Sequence, residues 1–423
     1  MTLGRPVRRI RRTLAEYPRP FWTLVVGTFI DRLGGFMLFP FFALYLTSQL
    51  GATMTQVGLL FATWSIVSVF GATIGGALAD RWGRRGMIIF GLIASGMTSL
   101  LLAFVHTLSL FFVVAIVVGV VAEAGWPAQE AMVADLLPEE KRADGYGILR
   151  VAFNLSVVIA PVLGGLLAAR SYQLLFIADA LTSAATALLV FLFIPETKPQ
   201  AEPGKAPESL AATFKGYSTP LHDRLFVILL GGSALLGMVY LQLNSSLGVY
   251  LRDVYQVPPQ GYGYLLSLNA LMVVLMQFWI TRRIAGLPQF LMLALGAVLT
   301  AIGFGLYGFV SVYGLFMVAM AILTVGEMIM VPVGQALVAR MAPEDMRGRY
   351  MAVFGLGWTV AGVFGPLMAG RLLDGGNPQW LWYVSLLLGL AAAGTFLYLD
   401  GFDRRRSRQT DLLQTVMTGD GEA

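Results

Sequence analysis

The sequence predicts an all-α integral membrane protein, with twelve transmembrane helices arranged as two six-helix bundles. Three observations predict it: a composition too poor in charge for a water-facing surface, twelve long apolar runs, and a second half that repeats the first. Of 423 residues, 57% are hydrophobic and 13% charged, with mean hydropathy +0.73. A soluble domain carries roughly 25% charged residues, so half the usual charge leaves a membrane protein as the broad class that fits.

Taken in order, the apolar runs lie near 20–47, 55–78, 86–105, 109–135, 144–169, 173–194, 224–250, 259–283, 288–309, 312–340, 348–371 and 379–400. Each meets the need for about 20 apolar residues per crossing. The first run follows a basic start, as in a signal peptide. It continues through Leu46 with no small-residue cleavage site, so it is expected to be retained.

Basic residues orient the chain. Arg5, Arg8, Arg9, Arg11, Arg12 and Arg19 precede or open the first run, and eighteen further Lys or Arg fall on the same side, such as Arg84, Lys141, Arg283, Arg347 and Arg404. The other side has only Arg170, Arg252 and Arg371. A split of 24 to 3 predicts that both termini are cytoplasmic in a bacterial-type inner (plasma) membrane.

The Pro-rich, charged stretch at 195–223 reads as a linker. The expected organisation is a basic tail at 1–19, bundles at 20–194 and 224–400, and a cytoplasmic tail at 401–423. An ungapped shift of 205 positions places Gly27 on Gly232, Tyr45 on Tyr250, Pro127 on Pro332, Arg142 on Arg347, Pro161 on Pro366 and Gly165 on Gly370. One shift that holds from the first to the fifth span of each half indicates duplication. Six spans per half make it a parallel repeat, an architecture of transporters with a site near the midplane.

The stretch "GGALADRWGRR" at 75–85 concentrates charge between the second and third runs. Gly76 allows a close backbone approach, Asp80 can face a helix N-terminus, and Arg81, Arg84 and Arg85 can pair with acids or anionic headgroups. With its twelve spans, central linker and 6+6 repeat, the chain resembles the major facilitator superfamily over residues 20–400. Gly76, Asp80, Arg81, Gly83, Arg84 and Arg85 fill every position of that family's loop motif. The resemblance implies a cytoplasmic gate latch, with Asp80 facing the start of the eleventh span around 348–351. The second-half counterpart keeps Arg282 and Arg283 but has Ala285 in place of the acid.

The fifth run carries Gly147, Ser156, Ala160, Pro161, Gly164 and Gly165. Small residues let helices pack closely in lipid, and Pro161 bends the helix. The row resembles the small-residue motif of the superfamily's drug:proton antiporter branch, with Ser156 and Ala160 in place of two glycines. Ordinary tight packing is the alternative reading. The eleventh run repeats the row with Ala361, Gly365, Pro366 and Gly370.

Counting along each run places Asp31, Arg32, Glu123 and Glu327 near mid-depth, where charges are costly and mark ion or substrate pathways. Three carboxyls against one guanidinium leave two negative charges if all ionise, so at least one acid takes up a proton part of the time. These four residues are the proton-coupling or substrate candidates. Asp31 and Arg32, about 100° apart on a helix, are not expected to face the same way. Glu130 and Arg150 are expected as a structural or gating pair. Asp179 is expected near the outer end of its run, satisfied by water or Arg170.

Phe36, Phe39, Tyr45, Trp64, Trp126, Tyr240, Trp279 and Trp358 lie on runs that line the cavity in similar proteins. Aromatics with a few acids suit lipophilic cations, while packing or interfacial belts account for aromatics equally. The expectation is a proton-coupled exporter of lipophilic or cationic small molecules working by alternating access, a monomer in contact with small-molecule substrate, protons and lipid. A sugar, lipid or metabolite transporter, and a non-transporting sensor, are the rivals. With no Cys and only His106 and His222 there is little material for a metal or nucleophile site. No phosphate-binding Gly-Lys-Ser/Thr loop is present, no catalytic cluster is seen, and the scattered basic residues do not form a nucleic-acid patch. The proton gradient is thus the expected energy source, with no cofactor.

Overall fold

The computed structural model describes residues 16–122, 125–197 and 218–418, with backbone alone at 72–81, 117–122, 126, 345 and 406–418. Among the described residues there is no strand. Without water to satisfy peptide groups in a bilayer, a chain this apolar can cross only as helices or a closed barrel, and it takes the first course.

Eleven helices among the described residues are long and apolar enough to span a membrane. The expected fourth span falls on two shorter helices, Leu108–Ala122 and Trp126–Leu136, on either side of residues 123–124. The 205-residue repeat is visible in these bounds. The tenth-span helix, Tyr313–Met341, begins and ends 205 residues after Leu108 and Leu136. The first span breaks at Phe39–Phe41 before a short helix Phe42–Gln49, and the seventh breaks before its own short helix Leu247–Tyr255. Pro161 and Pro366 both sit inside long helices, Glu139–Arg170 and Arg347–Asp374.

Local sequence explains the helix starts. Thr53 and Gln56 exchange side-chain-to-backbone hydrogen bonds at 3.2 and 2.9 Å ahead of Met54–Trp82, a reciprocal cap. Asp223 accepts from the backbone N–H of Leu225 and Phe226 at 3.1 and 3.2 Å, opening Arg224–Tyr240. The last helix, Trp380–Thr418, continues past Asp400, where the apolar run ends and an Arg404–Asp400 pair at 2.7 Å follows one turn on.

The chain forms two compact units, Met1–Lys205 with Asn244–Ala270, and Ala206–Leu243 with Leu271–Ala423. Within the first, Phe21, Met87, Met132, Val133 and Val190 form a buried core. Within the second, Phe226, Met328, Leu337 and Phe396 do the same.

Small residues set how closely the helices approach. A Cβ on Gly164 would lie 2.5 Å from Met37 O, and one on Gly165 would lie 2.9 Å from Pro259 O. On the facing helix, a Cβ on Gly263 would come within 2.4 Å of Pro161 O. The expected small-residue row on the fifth span is thus the seat of the first span and of the start of the eighth. Ser156 and Ala160 are fully buried in it, whereas Gly147 has open space around its Cα.

Backbone carbonyls cannot move aside as a flexible side chain can. Gly263→Ala should therefore destabilise the first unit by about 1–3 kcal/mol, the usual range for overpacking. The check is a fall in the thermal unfolding midpoint of the detergent-purified protein, with Gly147→Ala unchanged beside it.

Candidate functional site

The polar centre of the first unit is built where the first, third and sixth spans converge. Gly34 lets the sixth span approach so closely that a Cβ there would sit 3.0 Å from both Cα and Oδ1 of Asp179. Asp179 is thereby buried against the first span, and Ser99 of the third span donates a short hydrogen bond to its Oδ2. One turn along the sixth span, Ser183 donates to Asp31 Oδ1 at 3.3 Å. The Arg32 guanidinium lies 4.0 Å from Asp31 Oδ2. Asp31, Arg32 and Asp179 line one cavity of about 290 Å³ together with Phe36, Phe39 and Trp64.

Two expectations are corrected here. Asp179 is buried and bonded to Ser99 rather than paired with Arg170, because a serine and a glycine on neighbouring helices make an interior place for its carboxyl. Asp31 and Arg32 do line the same cavity, because the 100° between them applies at Cβ and the long arginine stem swings its head back. Phe36 meets Phe153 edge-on at 5.2 Å, and Trp64 meets Phe42 at 6.2 Å. Tyr45 is buried in packing instead and donates at 3.4 Å to Leu102 O and Val105 O. Glu123 and the Trp126 side chain lie outside the described residues.

The second unit holds a different arrangement. Glu327 is midway along Tyr313–Met341, half-buried, and accepts from the Tyr240 hydroxyl at 2.7 Å. Trp358 stands edge-on to Tyr240 at 6.0 Å. Trp279 is 57% exposed, with the Arg283 guanidinium 5.3 Å over its ring. Exposed on an apolar helix, it fits an interfacial aromatic.

The side chains of Gly76, Asp80 and Arg81 lie outside the described residues; Gly83, Arg84 and Arg85 do not. Gly83 takes φ +100° and ψ 155° between the helices Met54–Trp82 and Arg84–Ala103. The Glu196 carboxylate accepts from the backbone N–H of Arg85 and Gly86 at 3.2 and 3.3 Å, across the start of the third span. That is the favoured place for an anion. Arg84 pairs with Asp135 at 3.5 Å, and Thr197 donates to the same carboxylate at 3.1 Å. Arg85 donates to Phe191 O and lies 5.1 Å over its ring. Glu196 and Asp135 were not singled out from the sequence; an acid at the end of an apolar run, Asp135 closing the fourth and Glu196 two residues past the sixth, was the available signal.

Glu130 and Arg150 are not joined: among the described residues no ion pair links them, and Glu130 is exposed. Tyr146 donates instead to the Glu130 backbone carbonyl at 3.1 Å.

The sequence matches the family described as Major Facilitator Superfamily over residues 24–286 and 288–419. It is 28% identical over 416 residues to a Na(+), Li(+), K(+)/H(+) antiporter of Planococcus maritimus, covering 92% of this chain and 96% of that protein. It is 23% identical over 384 residues to the multidrug resistance protein MdtH of Shigella flexneri, covering 89% and 92%. The fold is similar to that of the nucleoside transporter NupG, with TM-score 0.78 at 15% identity over 90% of this chain and 100% of that one.

The dihedrals of Gly83 belong to a region open almost only to glycine, and a Cβ there would lie 2.5 Å from the Glu196 carboxyl carbon. Gly83→Ala should cost about 1–3 kcal/mol by displacing Glu196 from the helix start. The expected readout is a lowered unfolding midpoint, with Glu196→Gln giving a smaller loss of the same kind.

Proposed function

The chain belongs to the Major Facilitator Superfamily, and from that premise we propose that it is a proton-coupled exporter of lipophilic or cationic small molecules, working by alternating access. The observation that carries the reading is Glu327, a carboxyl at the midpoint of the tenth span, hydrogen-bonded to Tyr240. A carboxyl at that depth is costly, and such residues mark ion or substrate pathways. The Tyr240 hydroxyl can donate to its charged form and accept from its neutral form, so proton uptake and release need no new partner. Trp358, edge-on to Tyr240 at 6.0 Å, adds a second aromatic ring of the kind that suits a cation with apolar bulk. The antiporter and multidrug-resistance names of the relatives support exchange and export.

The distribution of basic residues supports a bacterial-type inner-membrane location with both termini cytoplasmic. The gradient of protons supplies the energy, and a single chain suffices for the two halves. A second reading, exchange of an inorganic monovalent cation for a proton, is favoured by the Planococcus maritimus relative.

Proteoliposomes with an imposed pH gradient test both. The wild type should accumulate a lipophilic dye cation, and Glu327→Gln should lose at least about tenfold of the gradient-driven rate, the loss of one transition-state interaction of ordinary size. Uptake of sodium but not dye would select the second reading. A wild type that ignores the gradient for both would remove the proton-coupled reading.

A further inference from the structure

We propose that Arg282 and Arg283, at the end of the eighth span, form a binding site for one anionic phospholipid, with its phosphodiester on the two guanidinium groups and its acyl chains along the apolar face of the same helix.

The helix supplies both parts of the site. Leu271, Val274, Leu275, Phe278 and Trp279 are exposed along Pro259–Ile284, at the three- and four-residue spacing of one helix face. On a membrane span such a face lies against lipid. It ends in Arg282 and Arg283, both exposed and each one turn beyond an aromatic ring. The Arg282 guanidinium lies 4.4 Å over Phe278, and that of Arg283 lies 5.3 Å over Trp279. Side chains lean toward the N-terminus of their helix, which here points into the membrane. Both charges are thus drawn back to the depth of the rings instead of reaching out into water.

No group among the described residues neutralises the pair. Neither guanidinium has an ion pair or hydrogen bond there. Between Asp253 and Glu327 the sequence has no Asp or Glu, and these two arginines are its only basic residues. The described acids at this end of the second unit have partners of their own. Asp223 caps the seventh span, Glu344 pairs with Arg347 at 3.7 Å, Asp400 with Arg404 at 2.7 Å and Asp403 with Arg340 at 3.9 Å.

The repeat sharpens the contrast. In the first unit, Asp135 and Glu196 serve Arg84 and the start of the third span. At the 205-residue offset those acids fall on Arg340 and Gly401, and Asp80 falls on Ala285. The second copy keeps an arginine pair and has an acid at none of the three places. The side chains of Asp345 and of the acids within 198–217 and 406–423 lie outside the described residues.

A phosphodiester suits this arrangement. Cation–π attraction holds each guanidinium and requires no hydrogen-bond acceptor, so the N–H donors remain for a ligand. Phosphate oxygens accept from such a fork in pairs. Two uncompensated positive charges favour a phosphodiester that carries no cation of its own. A soluble phosphate ester would gain the same polar contacts, but only a lipid also covers the apolar face. The pair falls on the side proposed above as cytoplasmic, where the leaflet is anionic.

The test titrates the purified full-length protein in detergent with palmitoyl-oleoyl phosphatidylglycerol and counts bound lipid by native mass spectrometry. One phosphatidylglycerol should bind about tenfold more tightly than phosphatidylcholine of the same chains. Arg282→Gln with Arg283→Gln should weaken its Kd by about thirtyfold. Arg404→Gln with Arg405→Gln removes the same charge from the same side and should leave the Kd unchanged. Phe278→Leu keeps both charges and changes only a lipid-facing ring. It should weaken binding by about two- to fivefold, the size of an exposed cation–π contact.

A loss in the Arg404 and Arg405 variant equal to that in the Arg282 and Arg283 variant would reduce the effect to general charge attraction and overturn the site. Equal binding of phosphatidylcholine would overturn it too, as would no binding at all, the result expected if an acid of the chain itself covers the arginines. Displacement of the lipid by millimolar glycerol 3-phosphate would overturn the lipid assignment in favour of a soluble phosphate ester. If the double arginine variant does not fold, an unchanged Kd in Phe278→Leu overturns the arrangement. None of these readouts involves transport, so the exporter reading stands or falls separately.

Discussion

A polar group carried into the membrane core must find its partner in the protein, since the lipid offers none. This constraint shapes the chain at every scale. It confines the backbone to helices, and it binds the buried side chains to one another. Gln129 donates to Thr28 at 2.6 Å, Gln242 to Gly365 O at 3.0 Å, and Gln277 to Met328 O at 2.9 Å. Thr98 and Thr324 turn their hydroxyls back onto their own helices. The charged groups are the costliest case, and they fall where glycine and serine on neighbouring helices make room and supply donors.

The duplication kept the packing and let the chemistry diverge. Helix breaks, prolines and small residues recur at an offset of 205, as Pro161 and Pro366 show. The charges within the spans do not follow. Position 236, the counterpart of Asp31, is Leu, and position 122, the counterpart of Glu327, is Ala. Tyr240 corresponds to Gly35, which lies 4.0 Å, measured from an added Cβ, from Asp179 Oδ1. Packing residues answer to a helix geometry that both copies share. A buried acid answers only to its own neighbours, so each copy could acquire a different one.

The same distinction explains what could be read in the sequence. Spans, repeat and small-residue row were legible because each is a pattern along one helix or a fixed offset between two. Arg84 and Arg85 were legible as a cluster, though not their partners. Asp135 and Glu196 lie 51 and 111 residues from Arg84 and Arg85 respectively, and no local pattern links them. Asp179 was misplaced for a related reason. Depth counted along the sixth span says nothing of Ser99 on the third or Gly34 on the first, which together make its carboxyl an interior group. Glu196 sat in a polar stretch read as linker, where a capping role depends on the chain folding back onto a distant helix start.

The cavity's geometry depends on three helices staying in register, and the structure ties them at both ends. At one end, Glu196 beyond the sixth span holds the start of the third, and Arg85 of the third holds Phe191 O of the sixth. At the other, Tyr45 of the first span donates to Leu102 O and Val105 O beside the third, and Gln173 of the sixth donates to Ala103 O at 3.3 Å. Tyr45 and Phe176 close that end with ring centroids 4.8 Å apart. Between these ties lie Asp31, Ser99 and Asp179, one from each helix. A shift of one helix by a single turn, about 5.4 Å, would separate every hydroxyl from its carboxyl. The polar contacts at the two ends are thus what allow the charged groups in the middle to be held by single hydrogen bonds.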